Sequence, residues 1–498
     1  MDSIFTGGLP KLKQIWKNCV NLLIAHPLCY FKPSTLQEVI QIIKSAESNH
    51  YKVRAVGSGH SYSDVALTRD YLIDTHALNH PLPIGQLSLK ATVDTKNLYL
   101  TECGIVIHQL NTNLDNIGKA LPNMGAYAGQ TIIGAISTST HGSGITLGPL
   151  PSLVEAIIIV GEKGEVFHIE RTNGISSAAI NLGNVPVKLI QDDEVFLSSV
   201  VSIGCLGVVY AVVLRVTDSY YLKEVRTFYH WKEVKALLEK GDVLKDNRHY
   251  EVIINAYLVG SAEDHSCLTT VRNVCPPETG TNWFRLHRAL GYTIAGWLIP
   301  AFIVDAVMRF LFNNFPKLTP ALIQMLIKTL RDSCYIQKSF KVLDLGSANN
   351  FSGYCMEIAF KSNKYIDVVQ TIFDITEKMA NDGKQYLTSP FALRFVKTTD
   401  HYLSMQHRDN AQDDFVCMIE FPMLNGTIGG VEMLARIEEE MYKLGGRPHW
   451  GQYNHVGVGD ETLTNLYQKY PEWINNYKKF SPNGTFQNDF TERCGIIS

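Results

Sequence analysis

Between Pro33 and His50, apolar residues at Leu36, Val39, Ile40, Ile43 and Ala46 recur with the period of a helix. The extended run Lys52-Val-Arg-Ala-Val56 follows and enters a Gly-Ser-Gly turn, so a helix feeds a strand that ends in a tight loop. Strand patterns recur at 71–74, 98–103, 156–160 and 166–169, the last two joined across a Glu-Lys-Gly turn, and again at 207–216. This order predicts an α+β lobe ending near residue 220.

A second region opens with an alternating strand at 249–258 and passes a Pro-Pro-Glu-Thr-Gly loop from Pro276 before apolar helices over 283–330, which read as an insertion. Then come strand 354–360, helix 366–379, strands 391–396 and 415–421, and helix 431–444. That order predicts a split β-α-β sheet with helices on one face.

With 498 residues, 45% of them apolar, the chain exceeds what one core serves, and two or more lobes are expected. The 45 basic and 48 acidic residues give a net charge of −3, which offers no field to recruit nucleic acid and points to a small-molecule partner. Ten cysteines without CxxC pairs give metal binding no support and fit buried thiols in a reducing compartment. Residues 1–28 lack the pattern of a secretory signal, so an intracellular protein is expected, cytoplasmic or peripherally membrane-associated. The apolar stretch 289–304, broken by Pro300, is shorter than the roughly 20 residues that span a bilayer. A buried helical pair or oligomer contact accounts for it, and a peripheral membrane contact through residues 289–312 stays open.

Two loops carry the chemistry. Val56-Gly-Ser-Gly-His-Ser-Tyr-Ser-Asp64 places glycines where a strand turns, letting backbone N–H groups converge on an anion such as pyrophosphate. It is not a Rossmann fingerprint, because Tyr62 stands where the third glycine belongs. Residues 121–144 put five glycines in 24 positions beside Ser137, Thr138 and Thr140, a composition that brings backbone and hydroxyls close to a large flat ligand or forms a packing seam.

Four blocks carry a family resemblance: Gly57-Ser-Gly-His-Ser61, residues 130–144 ending in Thr-His-Gly-Ser-Gly, Ser202-Ile-Gly-Cys-Leu-Gly-Val208, and Gly446-Arg-Pro-His-Trp-Gly451. In these the chain resembles FAD-linked oxidases of the vanillyl-alcohol oxidase superfamily, in its sugar-1,4-lactone and alditol oxidase branch. Residues 481–488 also look like the branch's closing motif, whereas 260–350 show no clear match. The resemblance implies a PCMH-type, two-subdomain FAD-binding domain over 20–220 and 446–498. It also implies an inserted substrate-binding cap over 221–445, an antiparallel sheet with helices. The cofactor-binding positions it implies are Gly57, Ser58, Gly59, His60, Ser61, Asn123, Gly125, Gly134, Ser137, Thr138, Thr140, His141, Gly142, Ile203, Gly207 and Val208. It further implies a covalent bond from His60 to the flavin 8α-methyl carbon, with a non-covalent site, as in other relatives, as the alternative.

By the same resemblance Arg394 faces substrate and flavin from the cap, and a structural ion pair is its alternative role. His449 and Gln452 complete the catalytic candidates. Two departures mark this chain: the branch carries a glutamate two residues before that arginine and a lysine after the His-Trp-Gly block, where Ala392 and Gln452 stand here. Their loss implies a less polar or differently shaped substrate. Proton acceptors are then sought among His401, His449 and His455, with ordinary pKa values of about 6.5, and Tyr402 and Tyr453. The expected activity is oxidation of an alcohol or lactone CH–OH by hydride transfer to flavin N5, with O2 as acceptor. The alternatives are a dehydrogenase serving a quinone, cytochrome or protein, and a flavin-binding module without catalysis.

Overall fold

The computed structural model describes residues 11–12, 14–277, 301–331, 334–345, 352–457 and 460–498. The helix α1 (Leu36–Ser48) starts where the Thr35 hydroxyl accepts from Glu38 N, and it buries Val39, Ile40, Ile42, Ile43 and Ala46 on one stripe. Strands β1 (Cys29–Phe31) and β2 (Val53–Val56) flank β3 (Tyr71–Asp74), both parallel to it. A second sheet contains β4 (Leu98–Glu102), β5 (Val154–Val160), β6 (Val166–Glu170), β7 (Val187–Gln191) and β8 (Val208–Arg215), in the order β7-β6-β5-β8-β4. Its centre is buried on both faces: Ile157, Ile158, Ile159, Val212 and Val213 are all inaccessible to solvent.

The third sheet has eight strands: β9 (Tyr221–His230), β10 (His249–Ile254), β11 (Ser266–Cys275), β12 (Cys334–Lys338), β13 (Gly353–Lys361), β14 (Phe391–Lys397), β15 (Phe415–Leu424) and β16 (Arg447–Pro448). They run in the order β12-β9-β11-β10-β14-β15-β13-β16, every pairing antiparallel. Alternation sends Phe391, Leu393 and Phe395 of β14 into a core with helices α2 (Tyr365–Gly383) and α3 (Gly430–Lys443). The opposite face carries Ala392 and Arg394 and meets the Gly/Ser/Thr-rich segment, where Gly144 N donates to Phe395 O at 2.6 Å. The expected strand 249–258 is shorter because Asn255 Oδ1 accepts from Tyr257 N and turns the chain after Ile254.

After β16 the chain returns to the first lobe. Val53 N donates to Thr485 O at 2.8 Å, and the indole N–H of Trp473 donates to Ser198 O at 3.0 Å. Among the described residues no helix is long and apolar enough to cross a membrane. Residues 289–300 of the apolar stretch lie outside the described residues, and its remainder opens the helix Ala301–Asn314.

Candidate active site

Three segments far apart in sequence meet where β2 ends. A Cβ on Gly57 would lie 2.0 Å from Thr131 Oγ1, and one on Gly451 would lie 3.4 Å from Ser61 Oγ and 3.5 Å from Thr138 Cγ2. Gly59 has φ 68°, the left-handed region that lets the loop double back. The loop is held from outside: Tyr62 N donates to Gly451 O at 2.7 Å, Ser63 Oγ to Trp450 O at 2.6 Å, and Asn18 Nδ2 to Ser61 O at 3.0 Å. Buried Arg54 donates to Ile203 O at 2.8 Å and Phe486 O at 3.0 Å, joining β2, the 202–208 turn and the C-terminal return. At that turn Ile203 takes φ 47°, a conformation that costs a β-branched residue energy and is found where the surroundings impose it.

Between these segments lies an open cleft. Gly57, Ser58, Gly59, His60, Ser61, Gly134, Ser137, Thr138, Ile203, Gly207, His449 and Gln452 line it. The other expected positions lie behind this wall. Val208 opens β8 and packs in the core, and Asn123 Nδ2 donates to Ser143 O at 3.2 Å. A Cβ on Gly125 would sit 3.2 Å from Thr140, Gly142 packs against Asn123 and Met124, and His141 and Arg394 meet Glu357 of the cap. Sequence reasoning missed Arg54, Thr75, Gln130, Thr131 and Gly204, which also line the cleft. Arg54 and Thr131 were legible only as neighbours of the glycine loops.

The wall fits a long ligand with phosphates and a flat ring. Glycine backbone and the Ser58, Ser61, Ser137 and Thr138 hydroxyls line the cleft, while its one lining arginine is occupied by carbonyls. An anion here is therefore met by N–H and O–H groups. On the cleft wall the buried Gln452 Oε1 has no hydrogen-bond partner among the described residues, and a ligand satisfies such a group. His60 Nδ1 lies 3.2 Å from Cys19 Sγ, and its ring centroid is 4.4 Å from that of Tyr127. Burial pushes the His60 imidazole down to about 4 and the Cys19 thiol up to about 11, so the pair is neutral at neutral pH and the ring keeps a nucleophilic lone pair. Gly142 closes the segment behind the cleft: a Cβ there would lie 2.2 Å from Asn123 Oδ1 and 2.4 Å from Met124 O. Gly142→Ala is expected to lower unfolding stability by about 1–3 kcal/mol through overpacking, read as a lower urea midpoint; an unchanged midpoint contradicts this packing.

On the cap side, charged residues form a ladder across neighbouring strands. Glu224 lies opposite Arg272, Glu251 opposite Arg394, and Glu420 opposite both Ala392 and Glu357. Arg272 Nε lies 2.7 Å from Glu224 and its NH1 2.9 Å from Glu251. Like charges facing each other, as Glu357 and Glu420 do, repel. The Arg394 guanidinium bridges them, with NH1 3.6 Å from Glu357, NH2 2.6 Å from Glu420, and Nε 4.0 Å from Glu251. His141 Nε2 adds a contact to Glu357 Oε2 at 3.1 Å. Burial alone would raise the Glu357 carboxyl, but His141 and Arg394 outweigh it and hold it well below the usual range.

Ala392 removes a carboxylate from β14, and its antiparallel partner Glu420 supplies one from the next strand, so this corner of the cap stays polar.

The histidines separate by position. His449 Nδ1 accepts from Gly451 N at 3.0 Å, so the neutral ring carries its proton on Nε2 and is a donor. Burial, only partly offset by Glu357, pushes it down to about 4. Among the three histidines considered as bases, only His449 lines the cleft. His401 is buried beside Phe196 with Nδ1 2.7 Å from Thr399 Oγ1, and His455 pairs with Glu438 at 2.9 Å. His449 at about 4, and His249 and His401 at about 3, all titrate below the ordinary 6.5 because burial disfavours the cation. Between those values the unfolded chain binds more protons, so stability falls as pH drops from about 6.5 toward 4. The urea midpoint is expected to be lower at about pH 5 than at about pH 7; an equal or higher value at the lower pH contradicts this.

Comparison with known proteins agrees with this geometry. A model described as FAD binding domain matches residues 27–170, so the first lobe binds FAD and the protein is an FAD-dependent oxidoreductase. A second model, D-arabinono-1,4-lactone oxidase, matches residues 212–494, and the chain belongs to that family. L-gulonolactone oxidase of Bos taurus is 24% identical over 473 residues, covering 94% of this chain and 95% of the relative. L-gulono-1,4-lactone dehydrogenase of Mycobacterium tuberculosis (strain ATCC 25618 / H37Rv) is 24% identical over 490 residues, covering 97% and 99%. Cholesterol oxidase from B. sterolicum superposes with a TM-score of 0.74 at 15% identity, covering 97% of this chain and 96% of that one, a likeness of fold.

Proposed function

We propose that the chain oxidises the CH–OH carbon of a sugar 1,4-lactone, with dioxygen as the electron acceptor and FAD joined covalently to His60. The observation that carries this reading is the placement of His60 and the glycine loops in one cleft, with His449 and Gln452 on its wall and the Arg394 ladder behind it on the cap side. Bound FAD supplies a hydride acceptor at N5. The loops 57–61 and 130–142 and the turn at Ile203 and Gly207 hold it, within a binding lobe over 20–220 and 446–498 and beneath a cap over 221–445. Gln452 accepts from a ring or substrate N–H or O–H, and His449 donates through Nε2–H to an oxygen in the cleft. Arg394 lends positive charge to the region where negative charge develops during oxidation. Neither His401 nor His455 serves as the base in this reading, and His449 binds as a donor.

Oxygen uptake by the purified protein with L-gulono-1,4-lactone and D-arabinono-1,4-lactone tests the acceptor. Uptake with hydrogen peroxide formed supports an oxidase. Reduction of an artificial dye without uptake supports a dehydrogenase, a second reading favoured by the mycobacterial relative's name and by an apolar surface. Phe310 is 58% exposed and Met325 62% exposed on that surface, with Val307, Phe315, Leu318 and Leu326 beside them. In the dehydrogenase reading this surface and residues 289–312 meet a membrane or an acceptor protein, and co-sedimentation with lipid vesicles checks it.

A further inference from the structure

We propose that Glu420, in the cap-side charge ladder beside the cleft, is a specificity-determining residue: its carboxylate accepts a hydroxyl of a neutral polyhydroxylated ring and turns away the ring-opened, carboxylate form of the same sugar. The inference rests on the reading that a lactone CH–OH is oxidised here. Glu420 Oε2 meets Arg394 NH2 at 2.6 Å and Oε1 accepts the Cys355 thiol at 3.0 Å. A carboxylate offers about four acceptor positions, so each oxygen keeps capacity for another donor. The Glu420 side chain is 18% exposed against 4% for Glu357, so it is the more reachable of the facing pair. Its cross-strand neighbour Ala392 has only a methyl group to place beside it. The carboxylate is tied to the cleft wall through its facing partner: Glu357 lies opposite Glu420, and Glu357 O accepts from the backbone N of the cleft-lining His449 at 2.9 Å.

The remaining groups sharpen the choice. Three carboxylates, Glu251, Glu357 and Glu420, stand within 4.0 Å of the single Arg394 guanidinium, so a substrate carboxylate brought beside it adds a fourth negative charge. Gln452 Oε1 is a second acceptor in want of a donor. The two acceptors Glu420 and Gln452 pair with hydroxyl groups, while a ligand carboxylate has only acceptors to offer and meets the like charge of Glu420.

The test compares L-gulono-1,4-lactone with sodium L-gulonate on the flavin-loaded protein, following loss of the flavin's visible absorbance without oxygen as concentration is varied. Wild type is expected to be bleached by the lactone and left untouched by gulonate. Glu420→Gln, with an unchanged flavin spectrum, is expected to raise the lactone KM about tenfold or more, the usual worth of a hydrogen bond to a charged group, and to let gulonate compete as an inhibitor. Glu420→Asp, which keeps the charge, should still exclude gulonate. An unchanged KM and unchanged gulonate exclusion in Glu420→Gln overturn the assignment. Equal bleaching of wild type by lactone and gulonate overturns the selectivity while leaving oxidation at this cleft intact. Bleaching by no lactone at all removes the underlying reading, and the assignment with it.

Discussion

Arg394→Ala is expected to lose both stability and flavin reduction. Its guanidinium is the bridge between Glu357 and Glu420, which face each other across β13 and β15, and it also neutralises Glu251 across β10. Removing one member of a buried ion network leaves the others uncompensated, at a cost of about 3–5 kcal/mol. Losing a preorganised positive group near the reacting centre costs about 10²–10³ in rate. Arg394→Lys keeps the charge but has no planar fork with which to meet three carboxylates at once, so it should fall between alanine and wild type in both readouts. Urea unfolding and the rate of anaerobic flavin bleaching by lactone check the two halves separately. A stable variant with unimpaired bleaching would show that the ladder neither holds the cap nor serves the chemistry.

His60→Ala is expected to release its flavin completely on acid precipitation, whereas wild type keeps the yellow colour in the pellet. In the folded chain His60 is a neutral imidazole on the cleft wall, held at 3.2 Å by Cys19. In the proposed tether an imidazole nitrogen of His60 would take the place of one hydrogen on the 8α carbon, and the two protons and two electrons released from the C–H and N–H bonds would pass to dioxygen as hydrogen peroxide. A variant that still binds FAD reversibly separates loss of the tether from loss of the fold. Wild-type flavin released intact by acid would make His60 a wall residue only.

Much of the first lobe was legible because its signals are local. The α1 stripe, the β5–β6 pair across Glu162–Gly164 and the glycine loops each sit within a few residues. In the cap, β13, β14 and β15 were readable from their apolar faces, whereas β9 and β11 were not. Leu222, Glu224 and Arg226 alternate onto one face of β9, and buried Arg272 lies on β11 opposite Glu224, so charged residues occupy positions where the strand pattern calls for apolar ones. The same feature hid the site's electrostatics. Arg394 and the Ala392 departure could be read along one strand, but Glu420 is beside them only through strand pairing, 26 to 28 residues away in the chain. His401 and His455 were plausible from sequence proximity to the ring-facing segments, and tertiary contacts carry both to other partners.

The most direct test is to mix the purified, flavin-loaded protein with L-gulono-1,4-lactone or D-arabinono-1,4-lactone in the absence of oxygen and record the flavin spectrum. Loss of the yellow band, with its return on admitting air, is the expected result. A protein that takes up no flavin, or whose flavin stays oxidised with every lactone and polyol offered, would contradict the proposal that this cleft oxidises a CH–OH carbon.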